Sequence, residues 1–198
     1  KYKDLTGEGE VTPGASTLEN HGDLKRIGNN SPRYRVGLNL DAAWKGIDFS
    51  IFFQGVLKRD WMFDAGDPYF WGAGSGMWQA ACFEEHMDYW TPENTDAYYP
   101  KPYFNETKNQ QAQDAYMQKA SYLRCKNIQL GYTLPTHITE KAGISNCRIY
   151  LSCDNLFTIT GLSSVYDPEA FGSYDGDGTS GKTYPLQRTI SVGVNLNF

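Results

Sequence analysis

The last ten residues of the chain alternate strictly between apolar and polar positions. From Thr189 to Phe198 every even position is apolar and every odd position is small or polar. Successive side chains of a β-strand point to opposite faces, so this period of two predicts a strand with one apolar and one polar face. The apolar face carries five side chains, which are Ile190, Val192, Val194, Leu196 and Phe198.

Four earlier segments show a similar alternation, so the pattern predicts five antiparallel strands. They cover approximately residues 33–44, 47–57, 121–134, 147–157 and 188–198. The first two flank Lys45-Gly46, a two-residue turn of the kind that closes a hairpin. Phe52 interrupts the alternation in the second strand. In the third strand, Arg124 and Lys126 share the parity of the apolar residues.

Short and long connections alternate between these strands. Residues 45–46 and 135–146 form short turns, whereas 58–120 and 158–187 form long loops, and 1–32 is a leading loop region. Strands of about ten residues can cross a bilayer when tilted, and this loop asymmetry is typical of outer-membrane barrels. The half of the third strand that holds Arg124 is then expected to project above the membrane.

The pattern therefore predicts an all-β fold of antiparallel strands from a transmembrane β-barrel with long extracellular loops. A run of about 18 apolar residues, which a transmembrane helix would need, is missing from the sequence. Single-chain barrels need at least about eight strands, so the barrel is expected to be incomplete in this chain.

Composition and motifs narrow the function classes. The net charge of -5 argues against nucleic acid as a partner. The four cysteines show no metal-ligand spacing, so we interpret them as free thiols acting as small apolar residues. The three histidines are scattered, and no phosphate-binding loop or nucleophile motif occurs, so the chain is not expected to be an enzyme.

Several short motifs follow one another in a characteristic order. They are YKDLTGEG at 2–9, IGN at 27–29, KGIDFSIFFQG at 45–55, YWTPEN at 89–94, SYLRCKNI at 121–128, LGYTLP at 130–135, NLFT at 155–158 and the terminal strand. Together they resemble the C-terminal end of SusC-like (SusC/RagA family) TonB-dependent outer-membrane transporters.

The resemblance implies a barrel of about 22 strands that surrounds an N-terminal plug, of which this chain would be the last five strands. Such transporters import nutrients, commonly oligosaccharides or peptides, across the outer membrane of Gram-negative bacteria. The implied partners are a SusD-like surface lipoprotein, the TonB complex through an N-terminal part not included here, and outer-membrane lipid. The barrel-assembly machinery would read the terminal strand, with Ile190, Val192, Val194, Leu196 and Phe198 as its signal.

The opening stretch has the spacing of a calcium loop. Oxygen ligands fall at alternate positions, from Asp4, Thr6, Glu8 and the carbonyl of Glu10. Gly9 occupies the position at which an EF-hand-like loop turns sharply. The twelfth position is Ala15 rather than an acidic residue, although Asp23 could supply the carboxylate if 12–22 is an inserted loop. A Ca²⁺ site and a metal-free acidic turn both remain open, and no cofactor is required.

The long loop at 58–120 is rich in aromatic side chains and glycine. Aromatic faces stack on sugar rings and carboxylates accept hydrogen bonds from sugar hydroxyls, so the loop supplies candidate substrate contacts. These candidates are Trp61, Phe63, Asp64, Asp67, Trp71 and Trp78. Loop packing or a surface for the cap protein is the alternative, because buried aromatics anchor interfaces. Tyr166-Asp167-Pro168-Glu169 in the last loop presents the same choice.

A secreted β-sandwich that binds carbohydrate is the rival interpretation of the whole chain. Alternating strands and glycine-rich loops fit a sandwich as well. Such a module would fold in water without detergent, but its long connection at 58–120 would be unusual in a compact domain. A small complete barrel would need more strands than the pattern supplies.

Overall fold

The computed structural model describes residues 2–75, 80–103, 108–170 and 183–198. The chain divides into two compact units. The sheet unit comprises Ser31–Asp60 and Gln118–Phe198, and the loop unit comprises Lys1–Asn30 and Trp61–Met117. In the part of the chain that is described, no helix is long and apolar enough to cross a membrane.

Antiparallel strands make up most of the sheet unit, as the alternation predicts. The strands seen in the described residues are β1 (Arg33–Trp44), β2 (Ile47–Lys58), β3 (Asp60–Trp61), β4 (Gln118–Thr133), β5 (Asn146–Asp154), β6 (Thr158–Gly161) and β7 (Thr189–Asn197). The five long strands lie in the order β1-β2-β4-β5-β7. All neighbours in this order are antiparallel, which confirms the predicted fold class.

Helical structure in the described residues is confined to single turns. The α-helix α1 spans Thr136–Thr139, and the 3₁₀ turns span Gly72–Ser75, Glu84–Met87, Lys108–Gln110, Asp114–Tyr116 and Glu140–Ala142. Helix α1 and the turn after it lie in the short connection between β4 and β5. Gly143 follows them in a left-handed conformation, with φ of 72°, which favours glycine at the end of a helical segment.

The register of the sheet places apolar side chains in continuous rows on one face. One row runs Leu40, Ile51, Ile128, Cys153 and Ile190; the next runs Ala42, Phe49, Leu130, Leu151 and Val192; the third runs Trp44, Ile47, Tyr132, Ile149 and Val194. We call this the apolar face. Many of its large side chains are exposed, including Trp44 at 69% and Val192 at 74%.

The opposite face of the sheet, which we call the polar face, is mainly hydrophilic. One of its rows runs Asp41, Ser50, Gln129, Ser152 and Ser191. Arg148 on β5 reaches across β4 to pair with Asp48 on β2. Gly131 lies beneath this pair, because a Cβ at that position would overlap both side chains. Phe52, which breaks the sequence alternation, also lies on this face, against Gly37.

A bulge in β4 changes the face on which the residues before Lys126 lie. Phe52 pairs with Asn127, but Phe53 pairs with Cys125, so Lys126 is the extra residue. Beyond the bulge Arg124 lies opposite Gln54, on the polar face. The parity that Arg124 shares with the apolar residues in the sequence therefore does not put it on the apolar face. An inserted residue reverses the side-chain phase of a strand, and simple alternation cannot show it.

The predicted strand at 147–157 is in fact interrupted. Strand β5 ends at Asp154, and Asn155 has a left-handed φ of 51°. The chain stays bonded to β4 there, since the N–H of Leu156 donates to the carbonyl of Cys125 at 3.1 Å. Strand β6 then pairs with the upper part of β4. The last long loop consequently begins after β6 rather than at residue 158, and β4 starts before the predicted residue 121.

Deleting Lys126 tests whether it is the extra residue. Without it, the pairings of Phe52 with Asn127 and of Phe53 with Cys125 can both be kept, so Arg124 should stay on the polar face. We expect the deletion to leave much of the intact protein that resists protease in membrane extracts. Deleting Leu130, which pairs regularly with Phe49, would move Gln129 onto the apolar face and should reduce that amount strongly. Equal losses in the two deletions would show that Lys126 is not the extra residue.

Candidate functional site

The sequence-predicted site residues lie in three regions. The acidic residues of the calcium-like pattern form the opening turn, and the aromatic candidates lie in the interior of the loop unit. The assembly-signal residues line the apolar face of β7, where all five are exposed, from 45% for Leu196 to 87% for Phe198. These last side chains are therefore available to an apolar medium along the whole strand.

Asp4 organises the opening turn through backbone N–H groups. Its Oδ1 accepts from Gly7, and its Oδ2 accepts from Gly9 at 2.7 Å. Both glycines have left-handed φ angles, of 80° and 85°, so this wrapping conformation is accessible to them. Glu8 and Glu10 are exposed. The bonds from Gly9 and Gly7 hold the pKa of the Asp4 carboxyl below its ordinary value.

The carboxylate of Asp23 bonds to the same turn, as expected if residues 12–22 form an inserted loop. Its Oδ2 accepts from the N–H of Thr12 at 2.8 Å, and its Oδ1 accepts from the N–H groups of Leu5 and Thr6. The Thr6 hydroxyl lies 3.3 Å from Oδ1 of both Asp4 and Asp23. These backbone bonds, that of Thr12 first, lower the pKa of Asp23. The fold thus brings the carboxylates of Asp4 and Asp23 together at Thr6.

The carboxylates of this turn are directed at N–H donors. Within the described residues, no group of three or more His, Cys, Asp or Glu side chains is arranged to hold a metal ion. Calcium at the 4–23 loop stays a prediction, since the cation would have to share Asp4 and Asp23 with these donors.

Three of the aromatic candidates are buried inside the loop unit, and two of them pack against neighbouring rings. Phe63 is fully buried and stacks on Phe70 with 4.7 Å between ring centroids. Trp71, 4% exposed, meets Tyr116 edge-on at 4.8 Å. Trp61 is also buried. Ring faces that are covered in this way cannot stack on a sugar, so the structure favours the packing alternative for these residues.

The two candidate carboxylates have different surroundings. Asp67 is buried, and its Oδ1 accepts from the N–H groups of Tyr69 and Phe70 at 3.0 and 2.8 Å. It therefore shapes the turn that carries Phe70. The side chain of Asp64 is exposed, while its main-chain carbonyl accepts from the indole N–H of Trp71 at 2.9 Å. The remaining candidate, Trp78, lies outside the described residues.

A cavity of about 250 Å³ lies in the loop unit beside this cluster. Its wall includes Trp71, Met87, Tyr89, Tyr99, Pro102 and Gln110. The side-chain amide of Gln110 is hydrogen-bonded to the main chain of the loop unit. It accepts from the N–H of Gly66 and donates to the carbonyl of Gly74, both at 2.7 Å. Burial raises the pKa of Tyr99, which keeps its hydroxyl neutral.

His86 also lies in the cavity wall, and its ring is held by the main chain. Its Nδ1 accepts from the N–H of Phe83 at 3.0 Å, and its Nε2 lies 3.1 Å from the carbonyl of Phe70. Both nitrogens therefore serve the packing of the loop unit. Sequence reasoning missed His86, Tyr99 and Gln110, because nothing in their local spacing distinguishes them from other loop residues.

The last long loop carries the Tyr166-Asp167-Pro168-Glu169 motif against the polar face. Asp167 Oδ1 lies 2.7 Å from a guanidinium nitrogen of Arg124, and Glu169 lies 2.9 Å from Lys126 Nζ. Arg124 is 3% exposed, which makes this a buried ion network. The motif was visible in the sequence, but its partners on β4 were not.

Comparisons with known proteins agree with this geometry. The chain is 30% identical over 204 residues to TonB-dependent receptor P3 of Formosa agariphila and 26% identical to TonB-dependent receptor P26 of the same organism. Each alignment covers 100% of the chain but 19% of the relative, so the chain spans about a fifth of their length. No protein-family profile matches the chain.

Solved structures of a peptide transporter named RagAB resemble the fold. One is 27% identical with a TM-score of 0.63, and it matches 85% of this chain and 18% of that chain. A second, described as the peptide importer in its "open-open" state, is 26% identical with a TM-score of 0.58, over 85% of this chain and 17% of that one.

The opening turn should depend on the ionised form of Asp23. Because the folded pKa values of Asp4 and Asp23 are depressed, the stabilisation is present above the unfolded value, near 3.9, and is lost as pH falls through the folded values. Asp23→Asn should therefore speed amide exchange at residues 5–12 by roughly 3- to 10-fold at neutral pH. Hydrogen–deuterium exchange on the intact protein measures this.

Glu19→Gln, on the exposed part of the same loop, is the control. Adding Ca²⁺ to the wild type should slow this exchange further if the cation binds, and Asp23→Asn should remove the calcium effect. Unchanged exchange in Asp23→Asn would rule out the role given to this carboxylate.

Proposed function

We propose that this chain forms part of the wall of a SusC-like outer-membrane transporter that imports nutrients, since it aligns over its full length with part of two TonB-dependent receptors. The observation that supports this most strongly is the apolar face. Its rows cross five strands without a polar interruption, and many of its large side chains are exposed.

An apolar face of this extent has to be covered by another apolar surface. Large exposed apolar patches are rare on soluble monomers, whereas the lipid side of an outer-membrane barrel presents such a surface. A β-sandwich would cover the face with a second sheet, but the described strands form one sheet. The secreted carbohydrate-binding module is therefore the weaker proposal.

The connections and the aromatic residues support an orientation in the outer membrane of a Gram-negative bacterium. The short turns after Trp44 and Thr133 lie on one side, which we assign to the periplasm. Trp44 and Tyr132 lie in one row near these turns and are exposed, as is Phe198 at the chain end. Such residues suit an aromatic girdle at the membrane interface. The long connections between the strands would then be extracellular.

The transported nutrients are proposed to be oligosaccharides or peptides. Peptides are favoured by the names of the RagAB structures, and oligosaccharides by the SusC-like motifs. The proposed partners are a SusD-like surface lipoprotein above the long loops and the TonB complex on the periplasmic side. The barrel-assembly machinery would act on the exposed apolar residues of β7 during insertion.

Deletion of the complete gene tests the proposed function. We expect the deletion strain to lose growth on either a mixture of peptides or a mixture of plant and algal oligosaccharides as sole nutrient. Growth on free amino acids and monosaccharides should be unchanged. The complete gene should restore growth only in cells that retain TonB. Normal growth of the deletion strain on both mixtures, at limiting nutrient concentration, would overturn the proposal.

Two neighbouring residues of β7 test which face meets lipid. Val192 lies in the middle row of the apolar face, and Ser191 lies on the polar face. Val192→Arg places a charge in lipid at about 2–4 kcal/mol near the bilayer midplane, so its outer-membrane level should fall severalfold. Ser191→Arg is the matched control and should keep a level close to wild type. Equal levels for the two variants, measured in outer-membrane fractions, would contradict the assignment.

A further inference from the structure

Arg124 is the most deeply buried charge of the sheet unit's polar face. The bulge at Lys126 turns it to that face, where its side chain is 4% exposed. Its Nε donates to the hydroxyl of Thr158 on β6 at 2.7 Å. The rest of the guanidinium meets the last long loop, with one terminal nitrogen 2.7 Å from Asp167 and the other 3.4 Å from Glu169.

Asp167 joins both arms of that loop. The arms, residues 162–170 and 183–188, flank residues 171–182, which lie outside the described part. Asp167 Oδ1 accepts from Arg124 and from the N–H of Glu169 on its own arm at 2.9 Å. Its Oδ2 accepts from the N–H of Leu186 on the returning arm at 3.0 Å. One carboxylate thus links strand β4, the outgoing arm at 162–170 and the returning arm at 183–188.

The charges in this network depend on one another. Burial by itself would raise the pKa of Asp167, but the bonds from Glu169, Arg124 and Leu186 outweigh it and hold the pKa below its ordinary value. Lys126 adds a second cation, 2.9 Å from Glu169. Removing one partner of a buried pair leaves the other charge without compensation, and this costs more than the loss of an exposed pair.

We propose that Arg124 is a positioning residue that clamps both arms of the last long loop to the polar face of the sheet. The loop base is then held over the inner wall, on the side along which solutes would pass. The consequence for import rests on the proposed function, whereas the clamp itself rests only on the contacts of Arg124 and Asp167.

Amide exchange in the purified intact receptor tests the clamp. Arg124→Gln removes the charge and keeps a hydrogen-bonding side chain of similar length. We expect exchange at residues 166–169 and 184–188 to speed up by about 10-fold or more, because both arms lose their common anchor. Arg124→Lys keeps the charge without the forked geometry and should restore part of the protection.

Arg148→Gln is the matched control. It breaks another arginine–aspartate pair of the polar face, Arg148 with Asp48, which is not part of the last loop. Exchange in both loop arms should stay at the wild-type rate in this variant. Faster exchange in β5 and β7 of Arg124→Gln, at the same ratio as in the loop, would indicate general destabilisation and overturn the proposal.

Asp167→Asn provides a second test from the loop side. It should release the returning arm at Leu186 while the strands keep their protection. This variant still tests the clamp if Arg124→Gln yields too little protein to measure. Wild-type exchange in both loop arms of Asp167→Asn would overturn the clamp. This measurement of amide exchange requires no transport, so a receptor that fails the growth test could still confirm the clamp. Failure of the proposed function and failure of the clamp can therefore be told apart.

Discussion

The rest of the structure depends on the period-two alternation of five strands whose apolar phases are in register. Once β1, β2, β4, β5 and β7 pair, their apolar side chains form rows that cross the whole sheet. Water would solvate such a face poorly, whereas lipid would match it. In lipid every backbone polar group must be paired, so the sheet edges at β1 and β7 suit further strands. This agrees with relatives that are much longer than this chain.

Two glycines on the polar face and a β-bulge allow the apolar rows to stay continuous. Gly131 makes room for the Arg148–Asp48 pair, and Gly193 lies where any Cβ would overlap the ring of Tyr150. The bulge at Lys126 turns Arg124 away from the apolar face. Each of these features lets bulky or charged side chains lie on the polar face without changing the register that the apolar rows need.

The loop unit follows a different principle from the sheet. Its stability comes from mutual burial of aromatic rings, among them Phe63, Phe70 and Trp71, and from polar groups that bond to the main chain, such as Asp67 and Gln110. This arrangement gives a long connection a packed interior of its own. It also means that an aromatic-rich loop sequence does not by itself identify a binding surface, because Trp61, Phe63 and Trp71 are covered in the structure.

Alternation alone determined the five long strands, the hairpin at Lys45-Gly46 and the residues of the apolar face, because side-chain phase is a local property of an extended chain. Residue spacing identified Asp4 as part of a turn, but it left Asp23 conditional on an inserted loop at 12–22, because local spacing cannot show how such a loop closes. Only the tertiary structure decided the bulge at Lys126, the break at Asn155 and the burial of Trp71. It also decided the partner of Arg124, since Asp167 is 43 residues away in the chain. Those features depend on which distant segments meet, and neither periodicity nor local spacing contains that information.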